Sequence, residues 1–230
     1  LISQEYADNH WMSIDSIFAT SSSEILPEEP PSYYESEETT HYSVVDKWGN
    51  AVSVTTTING WFGSGITVDG AGFLLNNEMD DFSSKPGTPN AYGLVGAKAN
   101  EIASGKRMLS SMTPTIVENP NGDLLLVVGS PGGSTIITTA MQVISNVIDF
   151  KMNIEDAVES PRYHHQWLPD VVFVEQFGYA TETLDVLKER GYKFALRSSI
   201  GEANCIMYDP NTKIIHASGD SRRGASAIAY

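Results

Sequence analysis

Thr39-Thr40-His41-Tyr42-Ser43-Val44-Val45, Asp46-Lys47-Trp48-Gly49-Asn50 and Ala51-Val52-Ser53-Val54-Thr55-Thr56-Thr57 form the stretch that decides the fold. The outer runs are rich in β-branched residues, and the Asp, Gly and Asn between them are turn formers, so the segment reads as a β-hairpin. A loop symmetric about Trp48 sets Val45 against Ala51 and Thr39 against Thr57, with Asn59 two residues further on the same face. Three polar side chains then converge at one strand end.

Downstream, Gly63 to Gly72 is glycine-rich and leads into Phe73 to Phe82, read as a short strand that ends in a polar turn bearing Glu78, Asp80 and Asp81. Lys85 to Gly96 holds two prolines and three glycines and is expected to be a long surface loop, a length often used for lids. Arg107 to Pro114 carries the paired hydroxyls of Ser110 and Ser111 ahead of a Pro-stiffened strand. Leu124 to Gly129 reads as a buried strand. After Ser130-Pro131-Gly132-Gly133, the residues Ile136, Ile137, Ala140, Met141, Ile144, Val147 and Ile148 recur at helical spacing between Ser134 and Phe150. Asn153 to Ser160 and Thr181 to Arg190 read as further helices, and Ala203 to Tyr208 with Lys213 to Ser218 as a closing hairpin. Strands, then helices, then strands indicate a layered α+β core.

The chain has 230 residues, 41% hydrophobic and 19% charged, enough for one good-sized core. A net charge of -15 excludes a nucleic-acid-coating surface and disfavours anionic membranes. The longest strongly apolar run, Leu124 to Val128, is too short to span a bilayer, and no basic-then-apolar signal follows Leu1. A single cysteine, Cys205, excludes an internal disulfide framework and any multi-Cys zinc site, and its apolar surroundings mark it as a core residue. His164 and His165 point apart on an extended segment, so joint metal chelation is not expected. The acid is unevenly spread: residues 1–38 hold nine Asp and Glu with no Lys or Arg, and 39–230 carry -6. With its serines and prolines, the first segment reads as an exposed, extended tail after an opening short helix or two.

A threonine is a weak nucleophile unless a base stands beside it. As the first residue of a chain, its own α-amine, with an unperturbed pKa near ~7.8, takes the proton. Such a residue must be exposed by cleavage, and Thr39 stands where the acidic tail meets a β-strand, although a threonine opening a strand is also ordinary. Gly129-Ser130-Pro131-Gly132-Gly133-Ser134 lies between a strand and a helix, where backbone N–H groups are able to face an oxyanion or a phosphate. The lysine of a P-loop is missing.

Four stretches together resemble the small catalytic subunit of γ-glutamyltranspeptidases: Thr-Thr-His-Tyr-Ser-Val-Val-Asp at 39–46, Leu-Leu-Asn-Asn-Glu-Met-Asp-Asp-Phe-Ser at 74–83, Leu-Ser-Ser-Met-Thr-Pro-Thr at 109–115 and Gly-Ser-Pro-Gly-Gly-Ser at 129–134. The likeness continues through Pro-Arg-Tyr-His-His-Gln-Trp-Leu-Pro at 161–169 to the Arg222-Arg223-Gly224 ending. Residues 1–38 resemble the C-terminal end of that family's large subunit. The resemblance implies an α+β N-terminal nucleophile hydrolase with an αββα sandwich, made as one precursor that cuts itself between Glu38 and Thr39. It implies Thr39 as nucleophile, Thr57 polarising its hydroxyl, and the N–H groups of Gly132 and Gly133 as the oxyanion hole. Asn59, Glu78 and Asp81 would hold the glutamyl end of the substrate, Ser110 and Ser111 its α-carboxylate, and Tyr92 would close over the pocket from a lid at 85–96. The partners implied are the large subunit as a heterodimer from one precursor, glutathione or other γ-glutamyl compounds, and an amino acid or dipeptide acceptor. No cofactor or metal is implied, and the family expectation for location is periplasmic or extracellular.

One departure is large: the family's carboxylate clamp includes a large-subunit arginine, and no residue before Thr39 is an arginine. This polypeptide by itself is therefore expected to be incomplete and weakly active. Two other readings stay open at this level, a related acylase of the cephalosporin or glutaryl type and an unprocessed fragment that serves in assembly.

Overall fold

A computed structural model describes residues 3–25, 39–83 and 98–229. In chain order these form helix α1 (Gln4–Met12), strands β1 (Thr39–Val45), β2 (Ala51–Thr57), β3 (Thr115–Glu118) and β4 (Leu124–Val128), and helices α2 (Thr135–Ile148) and α3 (Ile154–Glu159). Strands β5 (Tyr163–His164) and β6 (Val172–Glu175), helix α4 (Thr181–Glu189), and strands β7 (Phe194–Arg197), β8 (Asn204–Asp209) and β9 (Ile214–Gly219) complete them. The expected tail residue Glu38 and the loop residue Tyr92 lie outside the described residues.

β1 and β2 pair antiparallel with Thr39 opposite Thr57 and Val45 opposite Ala51, the register expected from the loop's symmetry. Asp46 closes the turn: its carboxylate accepts the N–H groups of Trp48 at 2.8 Å and Asn50 at 2.9 Å, while Gly49 supplies the left-handed φ of +87°. The second sheet runs in the order β3-β4-β8-β9, and side-chain alternation gives it two faces. Leu126, Val128 and Cys205 form one core with Ala140, Val143, Val147, Ile154, Ala157 and Val158 of α2 and α3. The i, i+3, i+4 spacing of Ile136, Ala140, Val143 and Val147 is what turns α2 onto the sheet. Asn153 starts α3 by accepting the Asp156 N–H at 2.9 Å.

Residues of the other parity, Val127, Gly129 and Asn204, face the hairpin. The hairpin's inner face is polar and bonds to that sheet's backbone. Ser43 donates to the Asn204 carbonyl at 2.8 Å, Ser53 to the Val128 carbonyl at 3.1 Å, and Asn204 Nδ2 to the His41 carbonyl at 3.2 Å. Tyr42, Val44 and Val52 are left exposed on its outer face. Helices, sheet and hairpin therefore stack as α, β and β layers.

Three features depart from the sequence reading. Phe73 to Leu75 do not form a strand; one isolated bridge, Thr67 to Leu74, joins a ribbon that is bent by Gly70 and Gly72 at φ +75°, and Phe73 and Leu75 stay exposed on it. β5, β6 and β7 form a third sheet whose strands are too short to show a period of two. The acidic tail is not solvated throughout: α1 is exposed, but Ser22 is 2% exposed and its hydroxyl donates to Asp170 at 2.8 Å.

A buried charge network ties the sheets together. Arg162 Nη1 lies 2.7 Å from Asp220 Oδ2, and Arg222 grips Glu175 through Nε at 2.6 Å and Nη2 at 2.8 Å and Asp220 through Nη1 at 3.1 Å. Burial works against the Asp220 carboxylate, yet Arg162 beside it and the N–H groups of Arg222 and Ala203 hold it below its ordinary range. Two anions balance two cations, so removing one leaves an uncompensated buried charge. Asp220→Ala is expected to destabilise by about 3–5 kcal/mol, read as a shift in the denaturant midpoint; an unchanged midpoint would refute the charge balance.

Candidate active site

The packing of the hairpin on the second sheet points its Thr39 end along β4 toward the glycine turn. The Ser43–Ser53 pair of the hairpin sits over Val128, and the next inward pair, His41 with Thr55, sits over Gly129, where a Cβ would strike the His41 ring. One more step along the same face reaches Thr39 and Thr57, as β4 continues into Ser130 to Gly133.

His41 is a residue that the sequence reading passed over. It is 4% exposed, with Nδ1 2.8 Å from Thr55 Oγ1 and Nε2 3.1 Å from Ser43 Oγ. Because Ser43 spends its proton on the Asn204 carbonyl, it accepts from His41 Nε2–H, and Thr55 donates to Nδ1. The ring is thus neutral, and burial pushes its pKa down to about 4. The unfolded chain, near ~6.5, takes up the proton first, so this group's stabilisation is present above that pH and is lost as pH falls towards 4. The loss is about 3 kcal/mol at most. Thermal melts of wild type and His41→Gln between pH 7.5 and 5 are expected to converge as pH falls; parallel curves would contradict this.

A chain of hydrogen bonds brings the other expected site residues around the same turn. Thr57 Oγ1 accepts the Asn59 N–H at 2.9 Å, with Asn59 itself in the left-handed region at φ +68°. Asn59 Nδ2 donates to the Asn77 carbonyl at 3.3 Å, and Asn77 Oδ1 accepts the Gly60 N–H at 2.9 Å. Asn77 leads directly into the 3₁₀ turn Glu78–Asp81, in which Asp81 is buried. The Asp81 carbonyl accepts Asn100 Nδ2 at 2.6 Å, and Asn100 Oδ1 accepts the Leu109 N–H at 3.0 Å, which places Ser110 and Ser111. Ser111 Oγ ends the chain by donating to the Gly133 carbonyl at 3.0 Å. Asn77 and Asn100 make this assembly, and nothing in their local sequence distinguishes them from ordinary loop asparagines.

The turn is held from behind. Gly132 has φ +131° and Gly133 φ +58°, and Thr135 Oγ1 donates to the Gly132 carbonyl at 2.7 Å. Ser130 Oγ accepts the Glu202 N–H at 2.8 Å, while Ile200 and Ala203 donate to Glu175 and Asp220, both at 2.8 Å. The charge network therefore anchors the 200–203 loop, and that loop backs the glycine turn.

The remaining candidates have other places. His164 is buried, with Nδ1 2.8 Å from Thr138 Oγ1 and Nε2 2.9 Å from Gln166 Oε1, while His165 is at the surface 3.6 Å from Asp170. Among the described residues, no group of three or more His, Cys, Asp or Glu is placed to hold a metal ion. Burial pushes the Cys205 thiol up to about 12, which leaves it unreactive at neutral pH.

Sheet facing sheet with helices outside, and a strand opening at a threonine beside the inner seam, is the α+β architecture of N-terminal nucleophile hydrolases. The sequence model described as Gamma-glutamyltranspeptidase matches residues 1–230, and the chain belongs to that family. It is 51% identical over 218 residues to the glutathione hydrolase proenzyme of Escherichia coli (strain K12), covering 95% of this chain and 37% of that protein. A solved T380A mutant of Helicobacter pylori γ-glutamyltranspeptidase is 58% identical and superposes with a TM-score of 0.76 over 80% of this chain and all (100%) of that one. A cephalosporin acylase from Bacillus halodurans, 24% identical, superposes with a TM-score of 0.80 over 100% of this chain and 39% of that one, a likeness of fold alone. The chain spans about a third of the length of the curated relatives first compared, 37%, 33% and 35%.

Proposed function

We propose that this chain carries the nucleophile and much of the donor site of a self-processing γ-glutamyltransferase and glutathione hydrolase, with residues 1–38 ending its large subunit and 39–230 forming its small catalytic subunit. The observation that carries this is the hairpin register, which pairs Thr39 with Thr57.

In the first reaction, Thr39 Oγ attacks the Glu38 carbonyl, the peptide C–N bond breaks as the acyl group moves to oxygen, and water hydrolyses the ester to free the Thr39 α-amine. In the second, that amine takes the Thr39 hydroxyl proton while Oγ attacks the γ-carbonyl of glutathione. The Gly132 and Gly133 N–H groups receive the oxyanion, and the leaving amine takes up the proton as the γ-glutamyl ester forms. Water then completes hydrolysis, or an amino acid or dipeptide amine completes transfer. Glu78 and Asp81 hold the donor's α-ammonium, Ser110 and Ser111 its α-carboxylate, Asn59 helps hold the glutamyl end, and Tyr92 closes over them. The exposed outer face of the hairpin, Tyr42, Val44 and Val52, fits a large subunit as the covering partner. Export to the periplasm or cell exterior is part of this reading; no described helix is long and apolar enough to cross a membrane.

Mass spectrometry of the full-length precursor is expected to show two polypeptides divided between Glu38 and Thr39, with a free amine on Thr39. The cut protein should hydrolyse γ-glutamyl-p-nitroanilide in preference to a glutaryl amide. An uncut protein that turns over substrate would sink the mechanism, and a glutaryl preference would move the acyl group to that of the acylases.

A further inference from the structure

The described part of the acidic tail ends in a specific seat on the catalytic body. Trp167 Nε1 donates to two tail carbonyls, Ser22 at 2.9 Å and Ile25 at 3.1 Å. Ser22 Oγ donates to Asp170 Oδ1 at 2.8 Å, and the Asp170 carboxylate is also 3.3 Å from Lys193 Nζ. The Ala19 N–H donates to the Arg190 carbonyl at 2.8 Å. The seat is matched to its occupant: a single indole N–H meets two carbonyls of a tight serine turn, and a carboxylate meets the one tail hydroxyl that is buried among the described residues. Trp167 is held at φ +70°, a strained backbone for a bulky residue. None of these contacts involves residues 26–39, so cutting the chain between Glu38 and Thr39 leaves each of them intact.

We infer that the surface formed by Trp167, Asp170 and Arg190 is a docking site for residues 19–25, and that it retains the large subunit's C-terminal end on the small subunit after the chain is cut. The inference rests on the division at Glu38–Thr39 proposed above. A dock on the far side of a thirteen-residue stretch, 26–38, keeps the released acidic segment tethered beside the subunit it came from.

The test is hydrogen–deuterium exchange on the processed full-length protein, read in peptides spanning 18–25. Wild type is expected to protect these residues, and Trp167→Phe, which keeps an aromatic side chain and removes both donations, to speed their exchange by roughly tenfold or more. Ser22→Ala breaks the contact from the tail side and is expected to do the same, which covers the case of a poorly folding Trp167 variant. Free-peptide exchange rates in processed wild type, or protection unchanged in both variants, would overturn the dock while leaving the proposed enzyme intact. If the precursor does not cut itself, the enzyme reading fails instead. A protease site engineered between residues 30 and 36 then opens the same stretch, and exchange in 18–25 decides the dock by the same two outcomes.

Discussion

Thr39→Ala yields a full-length precursor that remains a single uncut polypeptide and loses γ-glutamyl hydrolysis by on the order of 10⁴-fold or more. The size of the effect follows from one atom serving twice. In the proposed mechanism Thr39 Oγ forms the ester that releases its own amine, and that amine then activates the same Oγ against substrate, so removing Oγ is expected to abolish both steps. Thr39→Ser separates the two contributions: the hydroxyl remains, the γ-methyl that biases χ1 in a strand is lost, and processing is expected to continue more slowly. Thr57→Ala should also slow both steps, because Thr57 is the cross-strand partner of Thr39. Intact-mass measurement against time reads the first step and p-nitroaniline release the second. A cut Thr39→Ala chain, or turnover by an uncut one, would remove Thr39 from the centre of the reaction.

Gly132→Ala has the next largest expected effect. At φ +131° only glycine is at ease, and an added Cβ would stand 2.5 Å from Thr135 Oγ1 and 3.2 Å from the Gly201 Cα. Neither neighbour yields readily: Thr135 Oγ1 is bonded to the Gly132 carbonyl, and Gly201 lies in the loop anchored through Glu175 and Asp220. The turn must therefore rotate, taking its N–H groups away from the proposed oxyanion position. The expected loss is about 10²–10³ in kcat with KM little changed, since the oxyanion exists only on the way through the transition state. A stability cost of about 1–3 kcal/mol accompanies it. Gly105→Ala is the control, at φ +73° with open space around its Cβ, and it should cost stability without touching kcat. A Gly132→Ala enzyme within threefold of wild-type kcat would show that these N–H groups do not face the reaction.

Much of this architecture is written in short range. The β-branched runs and the Asp46 turn define the hairpin and its register, because pairing follows from a symmetric loop and a period of two. The 3.6-residue spacing of apolar groups marks α2, and glycines flag the turn before it. Thr57, Asn59, Asp81 and Ser111 lie along one chain of hydrogen bonds and short loops that ends at Gly133, but the groups that join them, Asn77 and Asn100, have no pattern of their own. Phe73 to Leu75 have strand propensity but form no strand, because propensity does not say whether a partner strand is there to pair with them.

Local period and turn chemistry thus determined, from the sequence by itself, where Thr39 sits, what faces it across the hairpin and which helix begins at the glycine turn. Tertiary structure alone decided that His41 is buried neutral over Gly129, that Arg162, Glu175, Asp220 and Arg222 brace the 200–203 loop, and that Ser22 seats on Asp170. The reason is distance along the chain. Ser22 and Asp170 are 148 residues apart and Glu175 and Arg222 are 47 apart, and whether such groups neutralise one another depends on burial that only packed layers create.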